Sequence, residues 1–189
     1  MNHLNTSKQT QLRRLADTLT VIRATAGLPL ILALQAGEFT LAWWTLLAGC
    51  VTDAVDGLFA RQAGGGTAWG AWMDPLADKL LILAPLLWLG SSGVLPLWAI
   101  WVLLTRELLI SGWRSSDYSG APASAWGKCK TVLQLLSLLL LLLPSHWWFP
   151  SSISRLHSLG WLLFWPALLL SLISAISYLR KSPKLLCHR

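Results

Sequence analysis

The chain has 189 residues, 54% of them hydrophobic and 12% charged, with a formal net charge of +7. Soluble domains carry about 25% charged residues, so the composition excludes an ordinary soluble domain and points to an all-α integral membrane protein. The basic excess does not indicate a nucleic-acid binder: most of the cations sit near the ends of apolar stretches and in the tails, and no soluble basic domain carries them.

In chain order, residues 1–16 are polar and basic (Lys8, Arg13, Arg14) and predict a short interfacial helix. Six transmembrane helices follow, at about 19–36, 40–61, 74–91, 94–115, 130–149 and 158–179, each near the roughly 20 residues a bilayer requires. No small-x-small cleavage site follows the first, which is therefore expected to remain as a span. Gly64-Gly65-Gly66 predicts a break after the second span, and Asp74-Pro75 is expected to open the third, with proline in a first helical turn. A basic tail, 180–189, ends a single membrane domain, 1–189. The loops at Gly37-Glu38 and Ser91–Leu95 contain no Lys or Arg, whereas Arg61, Arg114, Lys128, Lys130 and both tails do. The positive-inside rule then places both termini on the cytoplasmic side of a cell (inner) membrane. Many of the thirteen tryptophans, among them Trp43, Trp44, Trp98, Trp101, Trp161 and Trp165, fall near span ends and read as an aromatic belt. Cys50, Cys129 and Cys187 form no CxxC pair, and His3, His146, His157 and His188 lie in tails or around one loop. Neither set is assigned chemistry.

The chemistry is concentrated at the junction of the second and third spans: Asp53-x2-Asp56-Gly57-x2-Ala60-Arg61-x8-Gly70-x3-Asp74-x3-Asp78. A carboxylate inside a membrane segment costs roughly 2.5–3.5 kcal/mol on insertion scales, so four of them require a compensating partner. Hard divalent cations take oxygen ligands. Asp53 and Asp56 are i,i+3 and Asp74 and Asp78 are i,i+4, so each pair projects from one helix face. Two such faces together would set four carboxylates around one or two ions, an arrangement suited to displacement at phosphorus.

Eight fixed positions match by chance at roughly 10⁻¹⁰ per start, so the likeness they carry is specific. The pattern resembles, without a mismatch, the signature of the CDP-alcohol phosphotransferase family. The resemblance implies a six-helix membrane enzyme, usually a homodimer, using Mg²⁺ or Mn²⁺. Such an enzyme moves a phosphoalcohol group from a CDP-linked donor to an acceptor hydroxyl and releases CMP. Carried over by position, Asp53, Asp56, Asp74 and Asp78 would ligate two ions, and Asp78 would also take the acceptor's proton. Gly57 would let the donor approach the backbone, Arg61 would pair with the diphosphate, and Thr67 would touch the nucleotide. Ala60 and Gly70 read as close-packing positions. A second stretch, Asp17-x2-Thr20-x2-Arg23, opens the first span. Relatives that make phosphatidylglycerophosphate often have Asn in place of Asp17. Asp17 and Thr20 are therefore candidates for CDP-alcohol binding, with Asp17 as a helix N-cap the competing reading.

Arg106-Glu107 with Arg114, and Gly127-Lys128-Cys129-Lys130-Thr131, are also similar to patterns in bacterial phosphatidylglycerophosphate synthases. Arg106, Arg114, Lys128 and Lys130 could form a cationic pocket for an acceptor that carries its own phosphate, such as glycerol 3-phosphate; Glu107 could neutralise Arg106. The competing reading makes Lys128 and Lys130 positive-inside anchors. The sequence thus implies transfer from CDP-diacylglycerol to glycerol 3-phosphate amid membrane lipids. Inositol phosphate, serine or phosphatidylglycerol are alternative acceptors. A divalent-cation transporter is the alternative from another class; it is disfavoured because all four acids fall toward one membrane side and no internal repeat is present.

Overall fold

A computed structural model describes residues 3–62, 68–116, 125–147 and 149–181 of the chain, and these are helical throughout apart from short connections. Six α-helices are described: α1 (His3–Gln35), α2 (Phe39–Gln62), α3 (Ala68–Ser91), α4 (Leu97–Ser116), α5 (Ala125–Leu141) and α6 (Pro150–Lys181), with one 3₁₀ turn at Ser145–Trp147. Among the described residues there is no strand. The helices fall into two compact units, Met1–Trp88 and Leu89–Arg189.

The all-helical expectation holds, and several boundaries move for identifiable reasons. The polar segment and the first apolar stretch are one continuous helix, because Leu12, Arg13, Arg14, Leu15 and Ala16 are all strong helix formers with no breaker among them. Hence no separate interfacial helix stands apart from α1, and Asp17 lies well inside a helix rather than at its start. The N-cap reading of Asp17 is thereby corrected. The third helix begins at Ala68, so Asp74-Pro75 sits more than a turn inside it instead of opening it. Ala68 to Met73 is apolar and carries the helix upstream of the proline. In the other direction, α5 stops at Leu141, ahead of Pro144, which biases the residue before it away from helical dihedrals. Pro150 opens α6, where its missing N–H costs nothing. Gly64-Gly65-Gly66 lies outside the described residues.

The turns follow from two glycines. After α1, Gly37 N–H donates to Leu34 O at 3.2 Å and Glu38 N–H to Ala33 O at 2.9 Å, with Gly37 at φ 79°. After α3, Gly93 N–H donates to Gly90 O at 3.2 Å and Val94 N–H to Leu89 O at 3.0 Å, with Gly93 at φ 71°. Both are Schellman closures, in which a left-handed residue lets the chain return to the last carbonyls of the helix.

In the first unit α1 packs along α2. The buried face of α1 runs Ala16, Thr20, Arg23, Gly27, Leu30 and Leu34, a spacing of three and four, while Leu15, Ile22, Leu28 and Leu32 are exposed. In the second unit α6 packs on both α5 and α4. Its inner face is Gly160, Phe164, Ala167, Ser171 and Ser174, and its outer face is Leu159, Leu162, Leu169, Ile173 and Ile176. Small and polar side chains thus share the inner faces with Leu30, Leu34 and Phe164, while the outer faces carry large apolar side chains, as expected of helices in lipid. There, helices associate by close packing and interhelical hydrogen bonds rather than by the hydrophobic effect. A Cβ on Gly160 would lie 3.0 Å from Leu141 N, and Ser137 Oγ donates to Gly160 O at 2.7 Å, so α5 and α6 meet backbone to backbone at this point. Arg13–Gln35 and Pro150–Ser177 are long and apolar enough to cross a membrane by themselves. His157 Nε2 lies 3.0 Å from Leu143 O, beside the end of α5.

Candidate active site

The site in the first unit is built on a buried guanidinium. Thr20 and Arg23 lie three residues apart on the inner face of α1, each 1% exposed. Arg23 Nη1 is 2.6 Å from Asp53 Oδ1, its Nε is 3.1 Å from Asp78 Oδ1, and its Nη2 is 3.7 Å from Asp74 Oδ1. Thr20 Oγ1 donates to the same Asp74 Oδ1 at 2.6 Å. One fork therefore gathers carboxylates from α2 and α3, which its planar, multiple-donor geometry allows and a lysine's single ammonium would not. An arginine this deep in an apolar helix would be costly alone, and its ion pairs offset that cost.

Gly27, one turn beyond Arg23, permits the approach. A Cβ there would lie 2.8 Å from the Leu80 carbonyl oxygen, so only glycine lets α1 come this near α3. Leu81 of α3 likewise packs against Gly49 of α2. These two glycines set the helix separations at which Arg23 and Thr20 reach Asp53, Asp74 and Asp78.

Of the carboxylates predicted to act together, the structure brings Asp53, Asp74 and Asp78 to one point. Their side chains remain 51%, 47% and 40% exposed. Asp56, Gly57 and Arg61 follow Asp53 along α2, but the side chains of Asp56 and Arg61 lie outside the described residues, as does Thr67 altogether. Asp17 is one turn before Thr20 on α1 and half-buried. The donor set is all carboxylate oxygen, the chemistry that suits a hard divalent cation, and each member is partly open to solvent. Among the described residues no three Asp, Glu, His or Cys side chains already form a metal cage; the three carboxylates are instead spread around the guanidinium.

Arg23 is the member of this site that the sequence reading undervalued. It was visible as part of Asp17-x2-Thr20-x2-Arg23, but the compensation for the four acids was sought only in a metal. The signal was present: a cation within an apolar span needs a partner for the same reason an acid does.

In the second unit, two of the four predicted acceptor-pocket cations converge on one acid. Arg106 Nη1 is 3.0 Å from Glu107 Oε1, and Lys130 Nζ pairs with the same oxygen. The side chains are 10%, 7% and 20% exposed for Arg106, Lys130 and Glu107. Glu107 thus neutralises Arg106 as expected, and Lys130 as well, so Lys130 is a buried, paired cation and not a surface anchor. Arg114 and Lys128 are on α4 and α5, with side chains outside the described residues.

The chain is 33% identical over 180 residues to a Mycobacterium tuberculosis protein named "Probable phosphatidylglycerophosphate synthase", covering 91% of this chain and 83% of that one. It is 33% identical over 137 residues to a Rickettsia bellii protein named CDP-diacylglycerol–glycerol-3-phosphate 3-phosphatidyltransferase, covering 71% and 74%. A Bacillus subtilis protein of the same name is 38% identical over 95 residues, 49% of each chain. Residues 13–173, which include the Asp17–Arg23 stretch, the Asp53–Asp78 motif and the Arg106–Lys130 cations, match the profile of the CDP-alcohol phosphatidyltransferases, and the chain belongs to that membrane-enzyme family.

Proposed function

We propose that the protein is a phosphatidylglycerophosphate synthase, transferring the phosphatidyl group of CDP-diacylglycerol to glycerol 3-phosphate. The acceptor hydroxyl oxygen forms a new bond to the phosphatidyl phosphorus, the bond from that phosphorus to the oxygen of CMP breaks, and the hydroxyl proton passes to Asp78. The products are phosphatidylglycerol phosphate and CMP. The likeness to the mycobacterial protein across 91% of the chain carries this reading, and the eight-position motif supports the chemistry.

Asp53, Asp56, Asp74 and Asp78 would hold two Mg²⁺ or Mn²⁺ ions. Bound there, the metal neutralises diphosphate charge and polarises the phosphoryl oxygens. Arg61 adds a charge-assisted contact to the diphosphate, and Gly57 leaves room for the donor beside the backbone. Asp17 and Thr67 would contribute to nucleotide binding, Asp17 accepting from the cytosine amine. Thr20 contributes through its bond to Asp74. Arg106, Arg114, Lys128 and Lys130 receive the acceptor's phosphate, with Glu107 holding Arg106 and Lys130 in place between substrates. The enzyme is a homodimer of six-span subunits in the inner membrane, with both termini and the site at the cytoplasmic face.

The test is CMP release by the purified protein in detergent with CDP-diacylglycerol and Mg²⁺, with glycerol 3-phosphate, inositol phosphate, serine and phosphatidylglycerol supplied in parallel. Release is expected with glycerol 3-phosphate alone. Release with another acceptor instead would retain the Asp site and discard the assignment of Arg106, Arg114, Lys128 and Lys130.

A further inference from the structure

In each described contact, Arg23 and Thr20 reach the carboxylates at Oδ1. Asp53, Asp74 and Asp78 each present Oδ1 to the guanidinium, and Thr20 adds its hydroxyl to Asp74 Oδ1. The Oδ1 of Asp78 is shut off from solvent, yet the three side chains remain 40–51% exposed. The guanidinium thus forms a buried floor beneath three carboxylates that stay partly open to solvent. Arg23 donates a hydrogen bond to Asp53 and Thr20 donates one to Asp74, while Arg23 meets Asp74 and Asp78 as ion pairs. Partners of this kind orient metal-ligating carboxylates, and removing them typically weakens metal binding about 10–100-fold.

We propose that Arg23, with Thr20, is a positioning residue for the metal ligands: it fixes one oxygen of Asp53, Asp74 and Asp78 and so aims the other at the cation. The inference rests on the reading that these aspartates hold the metal, and it opposes a simpler electrostatic view. A guanidinium beside a metal site is a like charge, and on charge alone its removal should tighten cation binding. The floor geometry predicts the opposite sign, because without the fork three mutually repelling carboxylates on two helices lose their common anchor.

The experiment is Mn²⁺ binding to the purified full-length protein in detergent, without nucleotide, followed by the electron paramagnetic resonance of free Mn²⁺. Thermal unfolding in EDTA is measured in parallel. Arg23→Gln is expected to weaken Mn²⁺ binding about 10–100-fold. Arg23→Lys keeps the charge but not the fork and should recover only part of that loss. Thr20→Val, which removes one hydroxyl and little volume, should weaken binding a few-fold at an unfolding temperature near wild type, a change that a purely structural role would not produce. Unchanged or tighter binding in Arg23→Gln overturns the proposal. Should Arg23→Gln fail to fold, unchanged binding in Thr20→Val overturns it equally. Wild-type protein that binds no Mn²⁺ removes the metal reading and the floor together; wild-type binding with unaltered variants removes the floor alone.

Discussion

A single side chain, Arg23, is 1% exposed and lies within 3.7 Å of three carboxylates on two other helices. Its partners differ in what they can tolerate. Asp74 receives both the guanidinium and the Thr20 hydroxyl. Asp74→Ala is expected to abolish CMP release while the protein still inserts in the membrane, measured as activity per unit of membrane-extracted protein. Asp56→Ala should do the same; retained turnover in either variant would sink the metal assignment. That Asp53, Asp74 and Asp78 lie near one another was legible from the i,i+3 and i,i+4 spacing of the motif. That a buried arginine lies beneath them was not, because the spacing within α2 and α3 says nothing of which face of α1 meets them. Gly27 decides that, through its approach to the Leu80 carbonyl, and a glycine's packing partner cannot be read from its own position.

Helices in this chain are specified by what they bury, and α4 and α5 show it best. Lys130, Gln134 and Ser137 lie along one face of α5 and are 6%, 5% and 0% exposed, whereas Val132 and Leu136 are exposed. A hydropathy reading of 130–149 finds a span but not this polar seam, because Lys130, Gln134 and Ser137 are separated by apolar residues and averaged with them. The seam is held at Lys130 by Glu107 of α4 and at Ser137 by Gly160 of α6. Glu107→Gln would leave Arg106 and Lys130 without their shared carboxylate. Removing one partner of a buried pair costs roughly 3–5 kcal/mol, so the variant is expected to show a clearly lower unfolding temperature in detergent and reduced yield from the membrane. A stability equal to wild type would mean that the three side chains are not buried together in the folded protein. The boundary corrections belong to this scale too. Proline at position 75 looked like a helix start because it favours the first turn, but the apolar residues upstream continued the helix past it.

Each compact unit exposes many large apolar side chains and buries polar ones among its leucines. With Lys and Arg sparse in the 37–38 and 91–95 loops, this supports a fixed orientation in the bilayer. In a background with no other reactive thiol, Glu38→Cys should react with a membrane-impermeant maleimide in intact cells. Cys187 should react only after permeabilisation. The reverse pattern would place the active site on the outer face, away from cytoplasmic glycerol 3-phosphate. Composition alone determined that the chain is a helical membrane protein, because a bilayer selects long apolar helices whatever their arrangement. The Asp53–Asp78 motif alone pointed to the family and so to its transferase chemistry, because the eight positions lie within one short stretch of chain. Only the tertiary structure decided that Arg23 meets Asp53, Asp74 and Asp78, that Thr20 bonds Asp74, and that Lys130 shares Glu107 with Arg106. Both facts depend on which helix faces meet, and that is set by small residues such as Gly27, Gly49 and Gly160, whose effect lies in the neighbours they admit.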